Sequence, residues 1–322
     1  MLLDIEELSV TFESEQGAVP AVRGASFRLA QGEAAALVGE SGSGKSVSAM
    51  ALLRLLPASA HIRSRLLMFD GRNLSALSEP ELRRVRGREI GMVFQEPMSS
   101  LNPVFAIGNQ IAEVLTLHRG LDRRAADAEV VKLLGRVGIP SPEQRSKQYP
   151  HELSGGMKQR AMIAMALACQ PKLLIADEPT TALDVTIQAQ ILALLKNLQT
   201  ELKMAVLLIT HDLGVVAHFA ENVHVMYAGK IVEHASTRDL FAAPQHPYTQ
   251  ALLAALPKPG NEGARLEAIP GRVPAPSRLP KGCAFSPRCK FVMEHCPHDQ
   301  PPLIPAKEGH EAACWLLEGK ST

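Results

Sequence analysis

The stretch Gly39-Glu40-Ser41-Gly42-Ser43-Gly44-Lys45-Ser46 follows a short apolar run, residues 34–38, and precedes a segment predicted to be helical, residues 46–56. Glycines at this spacing let the backbone turn tightly, so that several N–H groups can face one phosphate. The start of the helix adds a positive partial charge. We therefore expect Lys45 to reach the β- and γ-phosphates of a nucleotide and the Ser46 hydroxyl to bind Mg²⁺. A glycine-rich turn with an accidental lysine is the alternative, and the strand–loop–helix context disfavours it.

A second chemical signal is a pair of acids at the end of an apolar run, residues 173–176. Asp177 is placed to hold the Mg²⁺ shell, as the acid of the corresponding strand does in phosphate-loop enzymes. Glu178 follows it and can polarise the attacking water as a general base. Acids are also common at solvated strand ends. The catalytic interpretation of this pair therefore depends on the phosphate loop upstream.

Short apolar runs alternate with predicted helices along much of the chain. This alternation predicts an α/β protein with a largely parallel sheet that is covered on both faces. A mostly helical segment, about residues 97–170, interrupts it. The runs that we predict as strands are 34–38, 90–94, 173–176 and 205–210, and the further predicted helices are 184–202 and 249–256.

Composition excludes several classes of protein. The chain has 322 residues, a net charge of +1 and a pI near 7.7, which argue against a basic nucleic-acid footprint. No apolar stretch reaches the roughly 20 residues of a membrane-spanning helix. Acids stand near the N-terminus at Asp4, Glu6 and Glu7, where a signal peptide carries bases. We therefore expect a cytoplasmic protein whose five cysteines are not in disulfides.

From about residue 3 to residue 256 the chain resembles the ATPases of ABC transporters. Besides the loop and the acidic strand end, the matching elements are Phe12, Gln95, Leu153-Ser154-Gly155-Gly156-Met157, Ala182-Leu183-Asp184 and His211. The resemblance implies a phosphate-loop NTPase of the ABC cassette fold, with a RecA-like core, an antiparallel β subdomain and a helical subdomain. Its expected reaction is the hydrolysis of ATP, coupled to transport.

The resemblance also assigns roles to these elements. Gln95 would sense Mg²⁺ and water, His211 would contact the γ-phosphate, and Phe12 would stack on adenine. Residues 153–157 resemble the signature sequence and precede a helix, so Ser154, Gly155 and Gly156 form a second anion site. One nucleotide does not need two such sites in one chain. The family's arrangement is a head-to-tail dimer, in which the signature closes on the partner's ATP and Asp184 reaches the opposite site.

Two segments indicate a branch of this family. Residues 90–103 and 246–253 resemble the dipeptide, oligopeptide and nickel importer ATPases. The resemblance implies a heterodimer with a sister ATPase at the cytoplasmic face of the membrane. It also implies two membrane permeases and, through them, an extracytoplasmic peptide-binding protein. Dipeptides or short peptides are the cargo that the resemblance implies. Nickel and oligopeptides stay open as alternatives, because no residue of this chain would touch the cargo.

The chain changes character near residue 257, where we place a domain boundary between the cassette, 1–256, and a C-terminal extension, 257–322. The extension contains Cys283, Cys289, Cys296 and Cys314, spaced C-x5-C-x6-C-x17-C. This spacing fits neither common zinc knuckles nor common ferredoxins, so it indicates only a possible four-thiolate site. The importer resemblance implies a [4Fe–4S] cluster, which some members carry, with Zn²⁺ or no metal as alternatives. His295, His298 and His310 could serve as further ligands.

Two other functions compete with transport. A soluble ABC ATPase could act on nucleic acid or ribosomes, but such proteins often have two cassettes, coiled-coil insertions or basic arms. A redox-sensing regulator could be built around the four C-terminal cysteines. Co-purification distinguishes the three, since permeases support transport, nucleic acid supports the second function, and neither supports the third.

Overall fold

The computed structural model describes residues 1–15, 17–96, 100–181, 183–256 and 269–318, which form two compact units. The first unit contains Met1–Leu29, Ala34–Asn73 and the described residues from Ile209 onward. The second contains Ala30–Glu33 and the described residues of Leu74–Leu208. The predicted boundary at residue 257 and the predicted start of the helical segment at residue 97 lie outside the described residues, as does Ala182.

The strands in chain order are β1 (Leu3–Ser14), β2 (Gly17–Leu29), β3 (Ala34–Val38), β4 (Ala60–Arg63), β5 (Leu66–Phe69), β6 (Arg72–Asn73), β7 (Ile90–Val93), β8 (Leu173–Asp177), β9 (Ala205–Thr210), β10 (Asn222–Tyr227), β11 (Lys230–Ser236), β12 (Ile304–Lys307) and β13 (His310–Ala312). The described α-helices are α1 (Lys45–Leu52), α2 (Glu79–Val85), α3 (Ile107–Arg119), α4 (Arg123–Arg136), α5 (Pro142–Arg145), α6 (Gly155–Leu167), α7 (Val185–Leu202), α8 (Leu213–Phe219), α9 (Thr237–Ala242) and α10 (Pro247–Ala254).

The first unit contains an antiparallel sheet in the order β2-β1-β5-β6, with β4 also paired to β1. Apolar side chains of β1 at positions 3, 5, 8 and 10 are buried, while the positions between them are partly or fully exposed. This alternation is the pattern of a sheet with one face on the core. The expected antiparallel β subdomain is therefore present.

A second set of strands in the first unit lies in the order β12-β13-β11-β10-β3. β10 runs parallel to β3 and antiparallel to β11, and β13 pairs antiparallel with β11. Every residue of β3 is buried, as the apolar run 34–38 predicts. The core beside these strands includes Tyr227 of β10, Tyr248 of α10 and Phe285, so the C-terminal residues pack into the unit that carries the phosphate loop.

The second unit contains β7 and β8, which are parallel and in direct register, and the first four residues of β9 beside β8. All residues of β8 and β9 are buried, as their apolar runs predict. The helices α3 to α6 account for the predicted helical segment, and α6 packs on α3, α4 and β7. None of the helices in the described ranges has both the length and the hydrophobicity that a membrane crossing requires.

Candidate active-site residues

The phosphate loop lies between β3 and α1 in the first unit. Gly44 ends the loop with a left-handed φ of 102°, and a Cβ added there would lie 2.6 Å from the carbonyl oxygen of Ala21. A side chain at this position would therefore clash with backbone as well as strain the turn. The glycine lets the chain enter α1 directly after the turn, which leaves the first N–H groups of the helix at the loop.

Lys45 is buried, and its ammonium group donates hydrogen bonds within the loop. Its Nζ lies 2.8 Å from the carbonyl oxygen of Gly39 and 3.0 Å from that of Glu40. The charge is thus held where the loop would meet a phosphate group. The Ser46 side chain, the other expected ligand of this loop, is in the first turn of α1.

Glu40 connects the loop to α10. Its backbone N–H donates to the hydroxyl of Tyr248, at 2.8 Å. Burial raises the pKa of Tyr248, so this hydroxyl stays protonated throughout the physiological range. The motif at residues 246–253, which we singled out only as a branch marker, therefore also contains a side chain that contacts the phosphate loop.

In the second unit, the predicted acids lie where the strand prediction places them. Asp177 is the last residue of β8 and is buried, and Glu178 follows with a left-handed φ of 45°. The Glu178 carboxylate accepts a hydrogen bond from Gln95 Nε2 at 3.0 Å and another from Thr181 Oγ1 at 2.9 Å. The structure thus brings together two predicted residues, Gln95 and Glu178. It adds Thr181, which sequence reasoning missed, although an acid followed three residues later by a hydroxyl is a common local hydrogen-bonding pattern.

The signature residues and the acidic loop residue both cap helices. Ser154 is the N-cap of α6, and its Oγ accepts from the backbone N–H of Met157 at 3.4 Å. Asp184 is the N-cap of α7 and accepts from the N–H of Ile187 at 3.0 Å. A Cβ on Gly156 would lie 3.0 Å from Ile187 Cγ2, so the two helix N-termini are neighbours. Two positive helix ends therefore lie together in this unit.

His211 and Phe12 belong to the first unit. His211 is exposed directly after β9, and Asp212 next to it caps α8 through the N–H groups of Gly214 and Val215. Phe12 is half-buried on β1, opposite Val19 of β2 and Ala60 of β4. Both residues occupy the kind of element expected of them, and their roles stay predictions.

The four C-terminal cysteines are near one another without forming a metal site. Burial, together with the nearby thiols of Cys283, Cys289 and Cys296, raises the pKa of Cys314 to about 11. Burial also raises the pKa of Cys283 and of Cys289. In the part of the chain that the structure describes, no group of three or more His, Cys, Asp or Glu side chains is arranged to hold a metal ion.

The expected spare ligand His310 has another role. Its Nε2 lies 2.7 Å from the Glu233 carboxylate, and both side chains are fully buried. The same carboxylate accepts hydrogen bonds from the backbone N–H groups of Gln245 and His246, at 2.7 and 2.9 Å. His310 therefore connects β13 to β11 and to the start of α10.

Comparison with known proteins identifies the family of this chain. The family model described as "ABC transporter" matches residues 22–181. The ATP-binding cassette MJ0796, solved as a dimer in a post-hydrolysis state with ADP and phosphate, superposes with a TM-score of 0.65 at 26% identity. That match covers 74% of this chain and 99% of the cassette. The chain belongs to the ABC transporter ATPases, has their cassette fold, and binds and hydrolyses ATP.

The branch follows from closer relatives. The model for the C-terminal region of oligopeptide/dipeptide transporters matches residues 232–296. The oligopeptide transport ATP-binding protein OppD of Bacillus subtilis is 50% identical, over 98% of this chain and 89% of that protein. OppD of Salmonella typhimurium is also 50% identical, over 98% of this chain and 93% of that protein. The chain is an ATP-binding subunit of the oligopeptide/dipeptide transporter branch, whose partners include membrane permeases.

Proposed function

We propose that this chain uses ATP hydrolysis to drive the import of dipeptides or other short peptides. The observation that carries the proposal is the Glu178 carboxylate, which directly follows the buried strand β8 and accepts hydrogen bonds from Gln95 and Thr181. This is the position of a general base beside an Mg²⁺-binding acid. The names of the relatives, which are peptide transport proteins, support the cargo.

Each predicted residue has a part in this proposal. The loop residues Gly39, Glu40, Ser41, Gly42, Ser43, Gly44 and Lys45 hold the phosphates of ATP. Ser46, Gln95 and Asp177 hold Mg²⁺, which supplies charge neutralisation at the phosphates. Glu178 orients the attacking water, His211 contacts the γ-phosphate, and Phe12 stacks on adenine. Ser154, Gly155, Gly156 and Asp184 serve the nucleotide of a partner cassette.

We further propose the composition of the assembly. The chain pairs with a sister ATPase rather than with a copy of itself, and the pair sits on the cytoplasmic face of two permeases. An extracytoplasmic binding protein delivers the peptide to the permeases. The helix ends at Ser154 and Asp184 support a composite site, because a second anion site in one chain has no use for that chain's own nucleotide.

The test is to purify the whole membrane assembly, identify its subunits and reconstitute it in lipid vesicles. We expect two different ATPases, two permeases and ATP-dependent uptake of labelled dipeptides. Parallel uptake of longer peptides and of nickel discriminates the alternatives within the family. Nickel uptake without peptide uptake would overturn the cargo, and co-purification of nucleic acid without permeases would overturn transport.

For the C-terminal extension we propose a structural four-cysteine metal site, with a [4Fe–4S] cluster favoured over Zn²⁺. Two features support it besides the four thiols. The backbone N–H groups of Phe291 and Met293 donate to the Sγ atoms of Cys289 and Cys296, at 3.3 and 3.4 Å. Hydrogen bonds of this kind stabilise thiolate ligands. The cysteines would still have to move to form the site, since no metal-holding group exists among the described residues.

Anaerobic purification, followed by iron, sulfide and zinc analysis and a visible spectrum, tests this site. Four irons and four sulfides per chain are the composition of the proposed [4Fe–4S] cluster. If the purified protein contains zinc and no iron, the site is a zinc site and the cluster proposal is wrong. Iron that persists after all four cysteines become serine would overturn the ligand assignment.

A further inference from the structure

A buried arginine of the C-terminal residues contacts the phosphate loop directly. Arg288 ends a 3₁₀ turn, Ser286–Arg288, and its side chain is only 5% exposed. Its Nη1 and Nη2 donate to the two carboxylate oxygens of Glu40, at 2.7 and 3.1 Å. This two-pronged geometry is the strongest form of arginine–carboxylate contact. It joins residues that are 248 positions apart in sequence.

The guanidinium of Arg288 is also fixed on its other sides. Its Nε donates to the carbonyl oxygen of Pro270 at 2.9 Å, and its Nη1 lies 3.3 Å from the hydroxyl of Tyr227. Its carbon lies 5.9 Å from the ring centroids of Tyr227 and Phe285. A planar cation held by hydrogen bonds and two aromatic rings has little freedom, so it can impose a position on its carboxylate partner.

Glu40 is held through its backbone as well as through its side chain. Its N–H donates to Tyr248, whose ring is 4.6 Å from that of Tyr227 and 5.4 Å from that of Phe285. The carbonyl oxygen of Glu40 in turn accepts from Lys45. Glu40, the second residue of the phosphate loop, therefore contacts α10, the C-terminal residues and Lys45, the lysine that is expected to bind the nucleotide.

We propose that Arg288 is a positioning residue of the nucleotide site, which makes the C-terminal residues part of the ATP-binding machinery. Arg288 neutralises the Glu40 carboxylate and fixes it, so that the loop can accept a strongly negative triphosphate. Without the arginine, the carboxylate would repel the phosphates and would loosen the Glu40 carbonyl from Lys45. This inference rests on the proposed role of the Lys45 loop as the site of ATP.

The experiment measures ATP affinity of the full-length chain by titration calorimetry, with every variant in a Glu178→Gln background so that ATP is not consumed. We expect Arg288→Met to weaken ATP binding by about tenfold, the size of a lost charge-assisted contact. ADP binding should weaken less, because ADP carries less charge. In the presence of Glu40→Gln, the same arginine substitution should change affinity by less than about threefold, because no carboxylate is left to neutralise.

Arg278→Met is the matched control, since Arg278 is an exposed arginine of the same segment and should leave affinity unchanged. Arg288→Gln also removes the charge but keeps a polar amide, and it provides the same comparison if Arg288→Met does not fold. A folded Arg288 variant that binds ATP like the parent would overturn the inference. So would an equal loss with and without Glu40→Gln, which would indicate a purely structural role. Lys45→Ala separates the two proposals, because unchanged ATP affinity in that variant would overturn the proposed site itself.

Discussion

Glu178 has a backbone conformation that glutamate rarely adopts. Its φ of 45° lies in the left-handed region, which costs a side-chain-bearing residue roughly 1–2 kcal/mol. Strain of this kind persists only where the surroundings enforce it, and it is concentrated at functional sites. Here the preceding strand is buried, and hydrogen bonds from Gln95 and Thr181 hold the carboxylate. The strained backbone and the two hydrogen bonds together fix the carboxylate that we propose as the general base.

From this position we predict that Glu178→Gln binds ATP but hydrolyses it about 10²–10⁴-fold more slowly, the usual value of a general base. The amide has nearly the same shape, so folding and ATP affinity should change little. Phosphate release from the assembled transporter, with calorimetry of ATP binding, measures both quantities. Glu113→Gln, a change of an exposed acid on α3, is the control. If the Glu178→Gln transporter hydrolyses ATP near the wild-type rate while the sister ATPase's site is also disabled, Glu178 is not the general base.

Asp184 has a structural function that can be separated from its predicted role at the opposite nucleotide site. Its carboxylate caps the 18-residue helix α7, and replacing an N-cap aspartate with alanine costs about 1 kcal/mol. We predict this loss for Asp184→Ala in urea unfolding. Asp184→Asn should keep the stability, because asparagine caps equally well. If Asp184 also serves the opposite nucleotide site, Asp184→Asn should still lower ATPase activity in the assembled complex. Wild-type ATPase activity of the Asp184→Asn complex would mean that Asp184 acts only as the helix cap.

The buried strands and several helices could be predicted from short stretches of the sequence. The apolar runs predicted β3, β8 and β9, because a buried parallel strand is apolar on both faces. The predicted helix 184–202 corresponds to α7, which begins at Val185. The helix expected after residues 153–157 is α6, which begins within them, at Gly155. The predicted helix 46–56 ends earlier, at Leu52.

The resemblance implied an antiparallel β subdomain, but the bounds of its long strands β1 and β2 were not predicted, because their pairing joins half-exposed, mixed sequences. The pairs Arg288–Glu40 and His310–Glu233 escaped it because no local spacing signals a contact between residues this far apart in sequence. Thr181 could have been suspected from its position after Glu178.

At the level of the assembly, Ser154 at the start of α6 allows a test of the composite site, in which the signature residues of one cassette contact the nucleotide of its partner. We predict that Ser154→Arg leaves ATP binding at the Lys45 loop within about twofold, since the substituted residue caps α6 rather than the loop helix. Hydrolysis at the partner cassette's site should be lost, because a large cation would occupy the phosphate position at the helix end. Binding is measured on the full-length chain, and hydrolysis on the transporter with this chain's own site disabled by Glu178→Gln.

Ser154→Ala is the matched variant, because it removes the cap without blocking the helix end, and it should retain much of the activity. The composite-site idea fails if isolated single chains hydrolyse ATP as fast as the complete transporter. It also fails if Ser154→Arg abolishes ATP binding at its own loop while the partner's site continues to turn over.

The first unit contains two histidines that are buried without charge. Burial lowers the pKa of His246 to about 3, and burial together with the nearby His234 lowers that of His224 to about 3. Their ordinary value is 6.5. Between pH 6.5 and 3 the unfolded chain therefore binds protons that the folded chain does not, so the free energy of unfolding must fall as the pH falls. Above pH 6.5 this contribution is fully present and constant.

We predict that acidification from pH 6 to pH 5 lowers the free energy of unfolding by up to about 1.4 kcal/mol for each of these histidines, as one proton per pH unit requires. His246→Asn should reduce the pH dependence by about one proton, because it removes the titration. It should keep the cap of α10, where His246 Nδ1 accepts from the N–H of Tyr248 at 3.0 Å. Urea unfolding followed by circular dichroism between pH 5 and pH 7.5 measures the slope. His218→Asn, at an exposed histidine, is the control. An unchanged slope in His246→Asn would mean that His246 takes up its proton without unfolding, which contradicts burial as the cause.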